Sequence, residues 1–250
     1  RFDEEANIGW ATRLEEVGAH VVYGVVGYKV HAKALLIVRR EEGKLRRYAH
    51  LGTGNYHPRT ARLYTDFGLL TANEDITLDV SEVFKQLTGL GQARTLHYLL
   101  QAPFTLQATI VAAIHAEAMA ARAGEKARII AKMNALLEPE TIHALYEASQ
   151  AGVEIDLIVR GVCALRPGVP GLSENIRVRS VIGRFLEHHR IFYFHSGGDE
   201  KVFLSSADWM SRNMFRRVET AWPVRDERMR QRVIDECLVP YLHDRRDAWT

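Results

Sequence analysis

The sequence predicts an α/β fold made of a duplicated unit, with mixed β-sheets flanked by helices. Apolar runs of strand length alternate with helical periods, most clearly in the second half. One ordered set of polar residues occurs twice along the chain. The composition is that of a globular domain: of 250 residues, 47% are hydrophobic and 26% charged, which excludes disorder and low-complexity sequence for the whole. Thirty-three Lys and Arg stand against 31 Asp and Glu, a net charge of +2. No global excess names an anionic partner, so any polyanion must be met by a local cluster and no nucleic-acid partner is expected.

The chain opens at Arg1, without Met, on a helical run from Asp3 to Gly18, and this start is expected of a fragment of something longer. Asp3, Glu4 and Glu5 form an acidic first turn that complements the helix dipole. Strands are expected at Val21–Val26, Val30–Arg40 and Leu45–Leu51, the last two joined as a hairpin by Glu41-Glu42-Gly43-Lys44. A short strand at Leu69 and Leu70 and a helix from Asp75 to Leu87 follow. Gly89-Leu90-Gly91-Gln92 reads as a linker, dividing the chain into domains 1–92 and 93–250.

Beyond it, the Ala-rich helix Leu106–Arg122 stops at Gly124. Its apolar faces leave internal packing and a homo-oligomer both open. Strand Ala127–Met133, helix Pro139–Gln150 and strand Val153–Arg160 alternate, and Pro167–Pro170 is a loop. Strands Ile176–Val181, Arg190–Phe194 and Lys201–Ser205 precede a closing helix, Asp226–Leu242. Cys163 and Cys237 make no disulfide framework and have no metal-ligand spacing. No apolar run approaches the ~20 residues of a membrane span. A cytoplasmic setting is expected.

The repeat locates the chemistry. His31-Ala32-Lys33 opens an apolar strand that returns to Gly52-Thr53-Gly54-Asn55, and His188-His189-Arg190 opens another that returns to Ser205-Ser206-Ala207-Asp208. The two spans differ by four residues, and Asp66 and Glu219 each lie eleven residues further on. On a strand, residues i and i+2 share a face, so His31 is expected beside Lys33 and His188, in preference to His189, beside Arg190. Two such units about a pseudo-twofold axis bring two imidazoles and two cations to one cleft. Cations neutralise phosphoryl oxygens, Asn55 and Ser205 or Ser206 can donate hydrogen bonds, and an imidazole can attack phosphorus or carry a proton. Asp66 and Glu219 are placed either to orient the histidines or to pair with Arg62 and Arg217.

Longer blocks carry a family resemblance. Arg1 to Ile8, Lys29 to Lys33, Tyr48 to Asn55, Thr60 to Asp66, Leu157 to Gly161, Phe185 to His188 and Leu204 to Met210 resemble polyphosphate kinases, from the first residue nearly to the last. The resemblance covers the two C-terminal domains of that family and implies a phospholipase D-like fold for each. It implies reversible transfer of the ATP γ-phosphate to inorganic polyphosphate, with ATP/ADP as substrate and Mg2+ as cofactor. It implies that His31 becomes phosphorylated and that His188 donates or accepts a proton. Nucleotide contacts fall on Tyr64 and Arg160, beside the phosphate cations Lys33 and Arg190. Arg1 falls on a family position associated with magnesium; a guanidinium cannot ligate a cation, so Arg1 is expected to act through a phosphate oxygen.

Two other readings remain at this point. A phospholipase D-like phosphodiesterase resembles His-x-Lys followed shortly by Asp. Here Lys33 is followed by Ala34-Leu35-Leu36-Ile37-Val38-Arg39, without that Asp, and the second copy has Arg190 for Lys. A non-catalytic polyanion-binding fragment would use the same cations without turnover.

Overall fold

A computed structural model describes residues 4–89 and 95–250. Arg1 and most of the expected linker, with the boundary at 92/93, lie outside the described residues. Helix α1 (Glu4–Glu16) leads the first half, followed by β1 (Lys29–Val30), β2 (Lys33–Glu41), β3 (Lys44–Gly52), β4 (Tyr64–Thr65), β5 (Gly68–Thr71) and α2 (Glu74–Thr88). The second half holds β6 (Leu100–Ala102), α3 (Leu106–Arg122), β7 (Ala127–Met133), α4 (Pro139–Gln150), β8 (Glu154–Val159) and β9 (Ile176–Val181). It continues through β10 (Leu186–Glu187), β11 (Arg190–Ser196), β12 (Asp199–Ser205), α5 (Ser211–Arg216), β13 (Arg217–Pro223), α6 (Glu227–Cys237), α7 (Val239–His243) and β14 (Ala248–Trp249).

The main sheet runs β1-β13-β12-β11-β7-β8-β9-β14, with β6 paired to β13. It is mixed: β7, β8 and β9 are parallel, while β11 and β12 are antiparallel to their neighbours. Its central strands read as unbroken apolar runs because both faces are covered. Phe192 and Phe194 point into a core with α3 and α4, through Leu106, Ile110, Ile114 and Leu145. Ile191 and Tyr193 point the other way, toward Val80 and Val83 of α2 and Val233 of α6. Each such large apolar side chain contributes about 1.5–3 kcal/mol on burial. Helix α2 belongs to the first half, so this second core binds the halves together. Helix α3, for which internal and intersubunit packing were both open, spends its apolar face inside. Among the described residues no helix is long and apolar enough to cross a membrane.

The first half forms a three-stranded antiparallel sheet, β2-β3-β5, containing the expected hairpin. Val21–Val26 forms no strand, only an isolated bridge from Val25 to Tyr28. The described part of the first half has no counterpart of β8, the strand on which β9 pairs in the second half, so this segment has no ladder to join. The closing helix breaks at Leu238 into α6 and α7, with Pro240 in the first turn of the latter, because proline supplies no N–H to continue a helix.

The duplicated units exchange strands. β1 pairs parallel with β13, Val30 opposite Val218. In mirror fashion, β10 pairs parallel with β4, Leu186 opposite Tyr64 and Glu187 opposite Thr65. Each strand that precedes a histidine is thus laid against the other unit. Strand alternation does not set His31 beside Lys33 or His188 beside Arg190, as the sequence led one to expect: His31 and Ala32 lie in the gap between β1 and β2, and His188 and His189 between β10 and β11. The backbone N–H groups of His31 and Ala32 both donate to Val218 O at 2.9 Å. These gaps release the imidazoles from strand alternation.

Candidate active site

The strand exchange determines which carboxylate meets which histidine. His31 Nδ1 lies 2.8 Å from Glu219 Oε2, and His188 Nδ1 lies 2.8 Å from Asp66 Oδ1. Each unit therefore orients the other unit's imidazole. Of the alternative pairings one forms as well: Arg217 Nη1 makes a long ion pair with Glu219 Oε1 at 3.9 Å, whereas Arg62 has no ion pair among the described residues.

Equivalent hydroxyls secure the two carboxylates. Thr53 Oγ1 donates to Asp66 Oδ1 at 2.7 Å and accepts from Phe67 N at 2.9 Å. Ser206 Oγ donates to Glu219 Oε2 at 2.5 Å and accepts from Thr220 N at 3.1 Å. Asn213 Nδ2 adds a bond to Glu219 Oε1 at 2.6 Å. Gly54 lies so close to Asp66 that a Cβ there would sit 2.0 Å from Oδ2. A bare backbone at that position is what lets the carboxylate stand in place.

The cations gather between these pairs. Lys33 is buried, and its Nζ donates to His31 O at 2.5 Å. Burial lowers its pKa to about 8 against the raising influence of Glu219; Arg190 lowers it, Asp66 raises it and Arg217 lowers it. Lys33 thus feels charges from both half-sites. Arg190 is buried in a bidentate pair with Asp208, at 3.1 and 3.0 Å, and its Nη1 approaches His188 Nε2 at 3.2 Å. Burial pushes Asp208 up, but Arg190 and the Asn134 amide groups outweigh it and hold the carboxyl below its ordinary value. Burial lowers the His188 pKa, opposed by its bond to Asp66 and assisted by Arg190.

Arg160 Nε donates to Asn134 Oδ1 at 2.8 Å, while Asn134 Nδ2 donates to His188 O at 3.0 Å and Asp208 Oδ1 at 3.2 Å. Both Nη groups of Arg160 remain without partners among the described residues. The Tyr64 ring stands 5.1 Å from the His188 ring. His189 is the structural member of its pair: it is buried against Phe67 and Tyr241, its Nδ1 meets Thr65 Oγ1 at 2.9 Å, and burial drives its pKa well down. Asn55 is exposed, and only its backbone carbonyl is engaged, by His57 N at 2.9 Å. It does not repeat the inward role of its counterpart Asp208.

A site of this kind can hold phosphoryl oxygens beside two oriented imidazoles. The family model for polyphosphate kinase C-terminal domain 1 matches residues 1–94, and that for C-terminal domain 2 matches residues 99–250. The chain belongs to the polyphosphate kinase family. It is 69% identical to a polyphosphate kinase of Burkholderia vietnamiensis over all of its own length and 37% of that protein's. The polyphosphate kinase of Paraburkholderia phytofirmans is 68% identical over the same shares. The crystal structure of polyphosphate kinase from Porphyromonas gingivalis superposes on 97% of the chain with a TM-score of 0.91 at 43% identity, again covering 37% of that protein. The chain thus spans about a third of the length of these family members.

Within this family fold the structure brings together His31, His188, Lys33, Arg190, Arg160 and Tyr64, and leaves Asn55 outside. Asn134, which ties Arg160 to His188 and Asp208, had no sequence signal. Thr53 lay inside a quoted motif without a role. Magnesium fits poorly as a protein-held ion: Asp66 and Glu219 are occupied at imidazole Nδ1 atoms, and no group of His, Cys, Asp and Glu among the described residues could cage a cation. Arg1, expected to act through a phosphate oxygen, lies outside the described residues.

Proposed function

We propose that this chain carries the phosphotransfer centre of a polyphosphate kinase, moving the ATP γ-phosphate to His31 and from there to inorganic polyphosphate, reversibly. The observation that carries this reading is the reciprocal pair of carboxylate-oriented imidazoles with cations between them. Glu219 accepts from His31 Nδ1–H, which leaves the Nε2 lone pair for phosphorus. A P–N bond forms at Nε2 while the bond from Pγ to the β–γ bridging oxygen breaks, and that electron pair departs with ADP. In the second step a terminal oxygen of polyphosphate attacks the same phosphorus, and the P–N electron pair returns to Nε2.

Phosphoryl transfer demands mainly positioning and charge neutralisation. Lys33, Arg190 and the free Nη groups of Arg160 supply the charge, and Tyr64 with Arg160 holds the nucleotide. Burial lowers the His188 pKa, which favours its neutral form, and the ring can accept a proton from the incoming oxygen, returning it to a departing one in reverse. Magnesium belongs to this reading only as a companion of the nucleotide's phosphates. A cytoplasmic setting, where ATP is present, completes it.

The test is labelling with γ-labelled ATP and magnesium. Acid-labile, base-stable protein phosphate with release of ADP is expected for the wild type and absent from His31→Ala. Equal label on that variant overturns the assignment, and cleavage of a model diester without label supports a phosphodiesterase instead.

A further inference from the structure

Asp66 is bound to His188 at 2.8 Å, and Arg62 makes no ion pair among the described residues. It lies on a 3-10 turn, Thr60–Arg62, capped at its start by Arg59, and Arg62 N donates to Arg59 O at 3.3 Å. Residues three apart on such a turn eclipse one another, so the two guanidinium groups project from one side. With Pro58 and Leu63 they line an open cavity of about 290 Å³. Neither arginine has an ion pair among the described residues, and like charges side by side repel until an anion joins them.

The turn is held in place. Ala61 N and Thr60 Oγ1 donate to His57 O at 3.0 and 3.2 Å, and Leu63 O accepts from Leu186 N at 2.9 Å. Leu63 runs directly into Tyr64, whose ring stands 5.1 Å from His188. One residue, Leu63, separates Arg62 from Tyr64, a reach of at most ~7 Å. The cavity lining has no aromatic ring and no amide or carboxylate edge to read a nucleobase. Its two charges, set beside the apolar Pro58 and Leu63, suit a polyanion that carries phosphates and no base.

We infer that the Arg59–Arg62 turn is a docking site for the inorganic polyphosphate chain, leading its end past Tyr64 to the cleft. This rests on the phosphotransfer reading above, and the test separates the two. Arg59→Gln/Arg62→Gln is made in the full chain and compared with the charge-conserving Lys/Lys double and with each single Gln variant. Filter binding of inorganic polyphosphate at several salt concentrations is measured beside His31 labelling from ATP.

The double Gln variant is expected to bind polyphosphate about tenfold more weakly, the size of two exposed charge pairs. The slope of its log affinity against log salt falls by about 1.4. The Lys/Lys variant recovers most of the binding, and His31 labelling stays within about twofold of wild type. Each single variant shows about a threefold loss, which keeps the test open if the double variant unfolds. Unchanged affinity and slope overturn the docking site. So does a parallel loss of His31 labelling in a variant that melts like wild type, since that puts the arginines on the nucleotide. If wild type takes no label yet the variants lose polyphosphate, the phosphohistidine reading fails and the docking site stands.

Discussion

The two half-sites share a plan and differ in how firmly their carboxylates are held. Around His31, the carboxylate of Glu219 is fully buried and held by Ser206 and Asn213. Around His188, Asp66 has a side chain 23% exposed and receives one side-chain hydroxyl, from Thr53. The cations diverge as well. Arg190 is clamped by Asp208, whereas Lys33 has exposed Asn55 where its counterpart has that carboxylate, and binds the His31 carbonyl instead. A nucleophile gains from a fixed tautomer and a fixed direction, while a proton carrier must exchange with its surroundings. The firmer hold on the carboxylate beside His31 fits the proposed nucleophile, and the looser hold beside His188, whose ring is itself the less exposed at 14% against 22%, fits the proposed proton carrier.

The sharpest way to break this asymmetry is to neutralise each carboxylate. Glu219→Gln can donate to His31 Nδ1 and strand the proton on Nε2, so phosphohistidine formation should fall by about 10³–10⁴-fold, as when an orienting carboxylate is lost elsewhere. Asp66→Asn should spare His31 labelling and slow transfer to polyphosphate by about 100-fold, the scale of lost general acid–base assistance. Single-turnover measurement of the two steps separates them, and equal effects of the two changes on both steps would erase the proposed division.

Gly54→Ala attacks the same half through the backbone. Its Cβ displaces the Asp66 carboxylate, so transfer should slow by about 10–100-fold while Asp66 itself remains. Retention of the wild-type transfer rate would show that the carboxylate's position is unimportant.

The smallest effect concerns pH. Lys33, with its pKa lowered to about 8, is charged below that value and loses its charge above it. Affinity for ATP should therefore be flat at lower pH and weaken several-fold as pH rises through about 8. Lys33→Arg should remove the inflection, which also separates Lys33 from Lys132, whose pKa is lowered to about 8 by burial behind the site. An inflection that persists in the arginine variant assigns it to another group.

Much of this architecture was legible locally. Helices α3 and α4 and strands β7 and β9 fall at the expected limits because apolar period, caps and glycines agree there. The eleven-residue spacing of Asp66 and Glu219 from the paired loops pointed to the carboxylates. It could not show that each crosses to the other unit's histidine, because contacts 122 and 188 residues apart leave no local trace. Val21–Val26 has strand chemistry yet no strand, since a ladder requires a neighbour that periodicity does not reveal. Asn134 escaped for a similar reason: its three side-chain bonds reach Arg160, His188 and Asp208 across separate elements.

The parallel pairs β1–β13 and β10–β4 have one more consequence. The halves stand to one another as subunits of an obligate dimer that happen to be tethered. Neither half holds both a histidine and the carboxylate that orients it, so each candidate half-site exists only while the halves are joined. Parting them would separate both imidazoles from their carboxylates at once.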